Sequence, residues 1–443
     1  MTSRLFKSID NAPLIVFRIF FGLLFACETF GAILTGWVRN NFISPEFTFS
    51  HIGMDWLQPL PGYGMYLYFV IMGCLSLAVM LGYKYRYTLG LLTLFWAGAY
   101  FMQKTSYNNH YYLLLLISII MLFLPANRYA SLDVKQNPGL EKLTMPAWCS
   151  WVMIFQVAIV YFFATVAKFY PDWLDGTYTG ILFSEIRTFS LIRKLFRNPD
   201  FHIFIAYAGI AFDGLIVPLL LWKRTRTLAL IASFLFHLFN SVFLKIGIFP
   251  YFALSFAVFF YAPETIRGIF LKRKPALVPE TESNNYSGKS LLYFFFIPYF
   301  ILQLALPLRH WFIKGDVLWT EEGHRLSWRM MLRDRNGTID FRIIDKKTKK
   351  RIYYPIESHL TRKQLAGMST KPDMIWQMAQ RIKSEFQKKG IQVSIYADCY
   401  VSINRKTPQA LIDPNVDLAA AHWDYFLHND WILLPVTDKE IGR

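Results

Sequence analysis

A polytopic α-helical membrane bundle of about eight or nine transmembrane helices, followed by an extramembrane α+β domain, is the fold this sequence predicts. Three observations carry it. Of its 443 residues, 54% are hydrophobic and only 17% are charged, whereas about a quarter of a soluble domain is charged. The apolar residues come in blocks, many of them near the ~20 residues that a helix needs to cross the hydrocarbon. After about residue 310 the blocks stop and the patterns of a water-facing module begin.

The blocks run over 13–36, 62–82, 87–102, 110–126, 147–167, 204–222, 226–241, 246–262 and 291–307. The third, fourth and seventh are short for a full crossing. The seventh and eighth are parted only around Lys245-Ile246-Gly247, which predicts a tight helical hairpin. The N-terminal stretch lacks a signal-peptide cleavage site, so the first block is expected to remain as a membrane helix. Cytoplasmic loops are enriched in Lys and Arg. With the N-terminus inside, the inner segments hold nearly twice as many of these residues as the outer loops. Nine crossings then put the C-terminal domain outside. The division expected is a membrane domain over 1–310 and an extracytoplasmic α+β domain over 311–443. In the latter, 326–332 and 338–344 look like strands joined by an Asn336-Gly337 turn, a strong hairpin signal. Residues 371–389 have helical spacing and 391–403 read as a further strand.

The net charge of +17 does not point to nucleic acid. Most basic residues sit in short loops beside apolar blocks, where orientation in the bilayer explains them, and no nucleic-acid-binding signature is present. The four cysteines show no metal-ligand spacing, so no metal is expected. Cys399 stands alone in the C-terminal domain, which excludes a disulfide within it.

Four polar features interrupt the apolar pattern. Lys168 ends the fifth block in YFFATVAKFYPDWLDG (161–176). An ionisable residue at membrane depth is costly and is a functional candidate by default. Desolvation disfavours an ammonium, so a buried lysine can act as a neutral base; the alternative is a lysine that snorkels to the interface. Asn109 and His110 open the fourth block in KTSYNNHYYL (104–113). They can orient or protonate a ligand, or belong to an interfacial belt with their tyrosine neighbours. His237 and Asn240 are three apart and share a helix face, either as pocket donors or as an interhelical hydrogen bond. Asp213 is a carboxylate inside the sixth block. It can set a pocket charge with a basic partner or tie two helices. In the nine-crossing topology His110, Lys168 and the 245–251 loop share the outer end with the C-terminal domain. A pocket roofed there suits a lipid-soluble cofactor meeting a water-borne peptide.

These segments, with ANRYASLD (126–133), FHLFNSVFLKIGIFPY (236–251), SWRMM (327–331) and VSINRKTPQALIDPNVD (401–417), resemble in order the vitamin K-dependent γ-glutamyl carboxylase family, whose membrane part is the horizontally transferred transmembrane (HTTM) domain. The resemblance implies an enzyme of the carbon–carbon lyase class. It implies that vitamin K hydroquinone is oxygenated by O2 to its epoxide while peptidyl glutamate takes up CO2 to become γ-carboxyglutamate. It also implies that Lys168 deprotonates the hydroquinone, that Asn109 and His110 serve the quinone site, and that His237 and Asn240 lie near it. Arg325, Trp328 and Arg335, in or beside SWRMM, are expected to face the glutamate substrate. The partners implied are the lipid bilayer, a glutamate-containing peptide or protein and a quinone reductase that recycles the epoxide. Animal members carry two lysines where this chain has Ala167-Lys168, and they extend well beyond its last residue. The resemblance is therefore to a bacterial-type short homologue of an inner membrane. The rival reading from the same fold is a membrane export or maturation factor with a quinone or lipid pocket and no carboxylation.

Overall fold

The computed structural model describes residues 2–186, 189–244, 246–277 and 288–436. Every expected apolar block is helical: α1 (Ala12–Leu34), α2 (Gly64–Leu81), α3 (Tyr85–Met102), α4 (Asn109–Phe123), α5 (Trp148–Val166), α6 (Pro199–Leu221), α7 (Arg226–Phe243), α8 (Phe249–Ser255, continued as a 3-10 turn to Phe259) and α9 (Ile297–Leu308, inside the apolar span Lys289–Phe312). Among the described residues six spans are long and apolar enough to cross a membrane: Ala12–Leu34, Gly64–Leu81, Trp148–Val166, Pro199–Leu221, Arg226–Phe243 and Lys289–Phe312. The chain is thus a polytopic helical membrane protein. Lys245, in the expected α7–α8 turn, lies outside the described residues.

Small residues let the helices close. A Cβ on Gly22 of α1 would lie 2.5 Å from the backbone nitrogen of Met80, so only glycine allows α1 and α2 this approach. One end of the bundle is tied by polar groups that the hydrocarbon cannot solvate. Strand β1 (Ser8–Asp10) pairs with β2 (Thr144–Pro146). Lys274 reaches Asp10 at 2.5 Å. Arg18 is fully buried in α1 and donates to the carbonyls of Ala126 (2.9 Å) and Ala130 (2.6 Å). Asp133 accepts from the backbone N–H groups of Lys84 and Tyr85 at the start of α3. The ANRYASLD segment is therefore a structural staple.

The opposite end carries the C-terminal domain. Its sheet has the order β4-β3-β5-β6, built from β3 (Arg335–Asp345), β4 (Arg351–Ile352), β5 (Val393–Ile403) and β6 (Gln409–Ala410), antiparallel throughout. Alternate residues of β5 are buried, as period two requires. They meet the apolar face of α10 (Pro372–Lys388), where Ile375, Met378 and Ile382 are fully buried. Phe47 and Phe49, from the loop after α1, join this core and fasten the domain to the bundle.

Two local expectations are corrected. Asn336-Gly337 is not a turn. Both residues lie within β3, opposite Ser402 and Val401. Glycine is required there by proximity, since a Cβ on Gly337 would sit 2.5 Å from the carbonyl of Ser369. The β3–β4 reversal falls instead between Asp345 and Arg351. Residues 326–332 are not a strand either. Leu326, Trp328 and Met331 have φ of 62°, 57° and 49°, each a left-handed backbone costing about 1–3 kcal/mol in a non-glycine residue. Packing holds them: Trp328 is fully buried against Tyr112 of α4, with ring centroids 5.0 Å apart.

Candidate functional site

Helical periodicity builds a chamber at the end of the bundle beneath the C-terminal domain. Along α5, Val157, Val160, Tyr161, Ala164 and then Lys168 follow the spacing of one helix face, and all line one cavity. Ala208, Gly209 and Asp213 of α6 and Phe236, His237 and Asn240 of α7 supply facing walls. Asn109 and His110 of α4 and Phe249 of α8 close a third side. His324 and Arg329–Met331, from the left-handed segment, form the roof. The cavity holds about 530 Å³ and its wall is mostly apolar.

Lys168 is buried in this wall and does not snorkel. Its Nζ donates to Asp213 Oδ2 at 2.5 Å and to the Ala164 carbonyl at 3.1 Å, and it stands 5.3 Å from the centre of the Trp173 ring. Asp213 is thus its ion-pair partner, joining α6 to the end of α5. An ammonium in direct contact with a carboxylate has an acceptor for one of its protons.

His237 Nε2 lies 3.2 Å from the Tyr161 hydroxyl. Its Nδ1 is buried without a protein partner. Buried polar atoms nearly always have one, so this nitrogen suits a polar atom of a bound ligand. The His110 ring stacks on Phe249, centroids 3.7 Å apart. Asn109 lines the cavity, but its amide also ties the bundle to the roof: Nδ2 donates to the Arg329 carbonyl at 3.0 Å, and Oδ1 accepts from the Tyr107 hydroxyl at 3.1 Å. The six membrane-domain candidates, Lys168, His110, Asn109, His237, Asn240 and Asp213, therefore share one cavity.

The three roof candidates do not line it. Trp328 is buried in the membrane core. Arg335 spends its guanidinium on the carbonyls of Leu318, Trp319 and Thr370. Arg325 pairs with Asp373, which also takes Lys104 at 2.6 Å, so this trio latches the domain to the bundle. Burial alone pushes the Asp373 carboxyl up, but Arg325 and Lys104 outweigh it and hold the carboxyl well below its usual range. Burial pushes Lys104 down to about 8. Tyr161, Trp173, His324 and Arg329 reach the chamber without having been singled out in the sequence. The i, i+7 spacing of Tyr161 and Lys168 was the available signal for the first; the others depend on tertiary placement.

The site contains a buried amine with its carboxylate, two imidazoles and a carboxamide inside an apolar chamber. Such a set can bind a ring-bearing, lipid-soluble molecule and move protons on its polar atoms away from water. No solved structure matches the chain. Residues 6–264 match the family model described as the HTTM domain. Residues 288–439 match the model described as the lumenal domain of vitamin K-dependent gamma-carboxylase. With both models matched in order over most of its length, the chain belongs to the vitamin K-dependent γ-glutamyl carboxylase family.

Proposed function

We propose that this protein is a vitamin K hydroquinone-dependent epoxidase and carboxylase that converts peptidyl glutamate to γ-carboxyglutamate. The observation that carries the reading is the Lys168–Asp213 pair in the wall of an apolar chamber. Reduced vitamin K, on reaction with O2, supplies the strong base that the γ-hydrogen of glutamate requires, and CO2 then adds to the carbanion. This chain's own residues bind, orient and move protons. Lys168 Nζ accepts the hydroquinone hydroxyl proton once its own proton has passed to Asp213. His237, with Nδ1 free of protein partners, and Asn240 hold the polar atoms of the ring. His110, flat against Phe249, fixes the ring from a third side. The apolar lining excludes the water that would quench a strong base.

The reading carries an orientation. The N-terminus and the Arg18 staple are cytoplasmic, and the C-terminal domain is extracytoplasmic, in a bacterial inner membrane. A quinone reductase in the same bilayer regenerates the hydroquinone. The test is purified protein in nanodiscs supplied with reduced vitamin K, O2, labelled bicarbonate and a glutamate-containing peptide. Epoxide and fixed label together are expected. Neither product from folded protein would refute the reading and favour the maturation factor.

A further inference from the structure

A second cavity, of about 740 Å³, lies on the other side of the Lys168 segment. Its wall is more polar and includes Tyr170, Asp172 and Asp316 together with Lys406 of the C-terminal domain. The two chambers are separated by a thin partition. Val166, Ala167, Phe169 and Tyr170 face the second cavity, whereas Lys168 between them faces the first. Among the described residues that line the two cavities, Arg329 alone borders both.

Arg329 is poorly satisfied for a half-buried guanidinium. Its neighbours Arg325, Arg333 and Arg335 all have carboxylates, on Asp373, Glu321 and Glu321. Among the described residues no carboxylate lies within ion-pair distance of Arg329. Its Nη1 reaches only His310 Nε2, at 3.4 Å; its Nε is buried without a partner, as is that of Arg333 and of Arg335. His310 Nδ1 donates to the Pro307 carbonyl at 2.8 Å, so in the neutral ring Nε2 is the acceptor that aims Arg329. Of the carboxylates lining the second cavity, Asp172 is held by Lys406 and Asn404; Asp316, whose Oδ1 accepts from the Leu318 N–H, acts on Arg329 across a distance and forms no ion pair with it. A partly buried guanidinium with no carboxylate in contact keeps its donors for one that enters, and an arginine fork matches a carboxylate in two-point geometry.

We propose that Arg329 is the specificity residue that grips the side-chain carboxylate of an acidic peptide lying in the second cavity and presents it through the partition to the Lys168 chamber. This rests on the carboxylase reading, and it names the entrance by which the peptide substrate reaches that chamber.

The test is fluorescence anisotropy on the full chain in nanodiscs without hydroquinone. The probes are a labelled peptide with one glutamate and the same peptide with glutamine in its place. Wild type is expected to prefer the glutamate peptide at least tenfold. Arg329→Gln should bring the preference below twofold, and Arg329→Lys should keep part of it. Should Arg329→Gln fail to fold, a peptide with a photoreactive residue beside the glutamate is cross-linked to wild type, with adducts expected within 166–170 and 329–331. Full preference in folded Arg329→Gln, no preference in wild type, or adducts confined elsewhere would overturn the proposal. Preference in wild type without carboxylation would keep this anion site and remove the reaction assigned above.

Discussion

The Lys168–Asp213 pair permits a prediction that separates stability from chemistry. Both side chains are about nine-tenths buried, and their charged atoms are 2.5 Å apart. Asp213→Leu leaves Lys168 Nζ with the Ala164 carbonyl and the face of Trp173. Lys168→Met leaves the carboxylate without its cation. Removing one member of a buried pair costs about 3–5 kcal/mol, whereas replacing both by apolar residues of similar volume is often neutral or stabilising. The double variant Lys168→Met/Asp213→Leu is therefore expected to be within about 1 kcal/mol of wild type, although its parents lose several each. The assay is denaturant unfolding in detergent followed by tryptophan fluorescence, with epoxide formation measured on the same preparations. The double variant should be stable and inactive, with epoxidation lowered more than about 100-fold. A double variant as unstable as the sum of its parents would show that the pair is not coupled as the structure has it. A double variant that retains epoxidation would remove Lys168 from the chemistry.

Other perturbations probe the surroundings. Asp373→Asn leaves Lys104 and Arg325 enclosed without a counter-ion and is expected to cost about 3–5 kcal/mol, read as a fall in thermal midpoint. Because the folded-state pKa of Asp373 is depressed, its contribution is present above the unfolded value of about 4 and is lost as pH falls below it. Wild type should therefore lose stability between about pH 4 and pH 2 more steeply than Asp373→Asn does. Arg18→Met strips the donors from the buried Ala126 carbonyl and the partly buried Ala130 carbonyl. It should lower the yield of folded protein by about 3 kcal/mol of stability while leaving epoxidation per folded molecule unchanged. His237→Phe removes the unpartnered Nδ1 and should raise the KM for hydroquinone about tenfold, the cost of one lost hydrogen bond to a buried ligand; an unaltered KM would take this nitrogen out of the quinone site. Gly337→Ala meets the Ser369 carbonyl and should destabilise the protein by 1 kcal/mol or more on the order of magnitude usual for overpacking.

The membrane helices were legible because a 20-residue apolar block has few soluble alternatives. The candidates on them were legible because Lys168, His110 and His237 are costly in hydrocarbon unless they face a cavity. Asp213 was visible as a carboxylate, but its partner lies 45 residues earlier, a distance that no local spacing reveals. The C-terminal domain was misread where backbone conformation decides. Asn336-Gly337 has turn chemistry, yet the close approach of Ser369 demands the glycine within a strand. SWRMM alternates like a strand, but left-handed residues fold it into the membrane core. The three candidates chosen as substrate contacts are a core tryptophan and two arginines paired with carboxylates. Arg329, in the same short segment, is the one left without a carboxylate, a difference that only tertiary neighbours create.

The central claim is that the amine of Lys168 drives the reaction of the chamber. It is tested most directly by measuring, in one reaction with saturating reduced vitamin K, the epoxide formed and the label fixed into a glutamate peptide by wild type and by folded Lys168→Ala. The account predicts both products from wild type and neither from the variant. Both products from Lys168→Ala at the wild-type rate would contradict it.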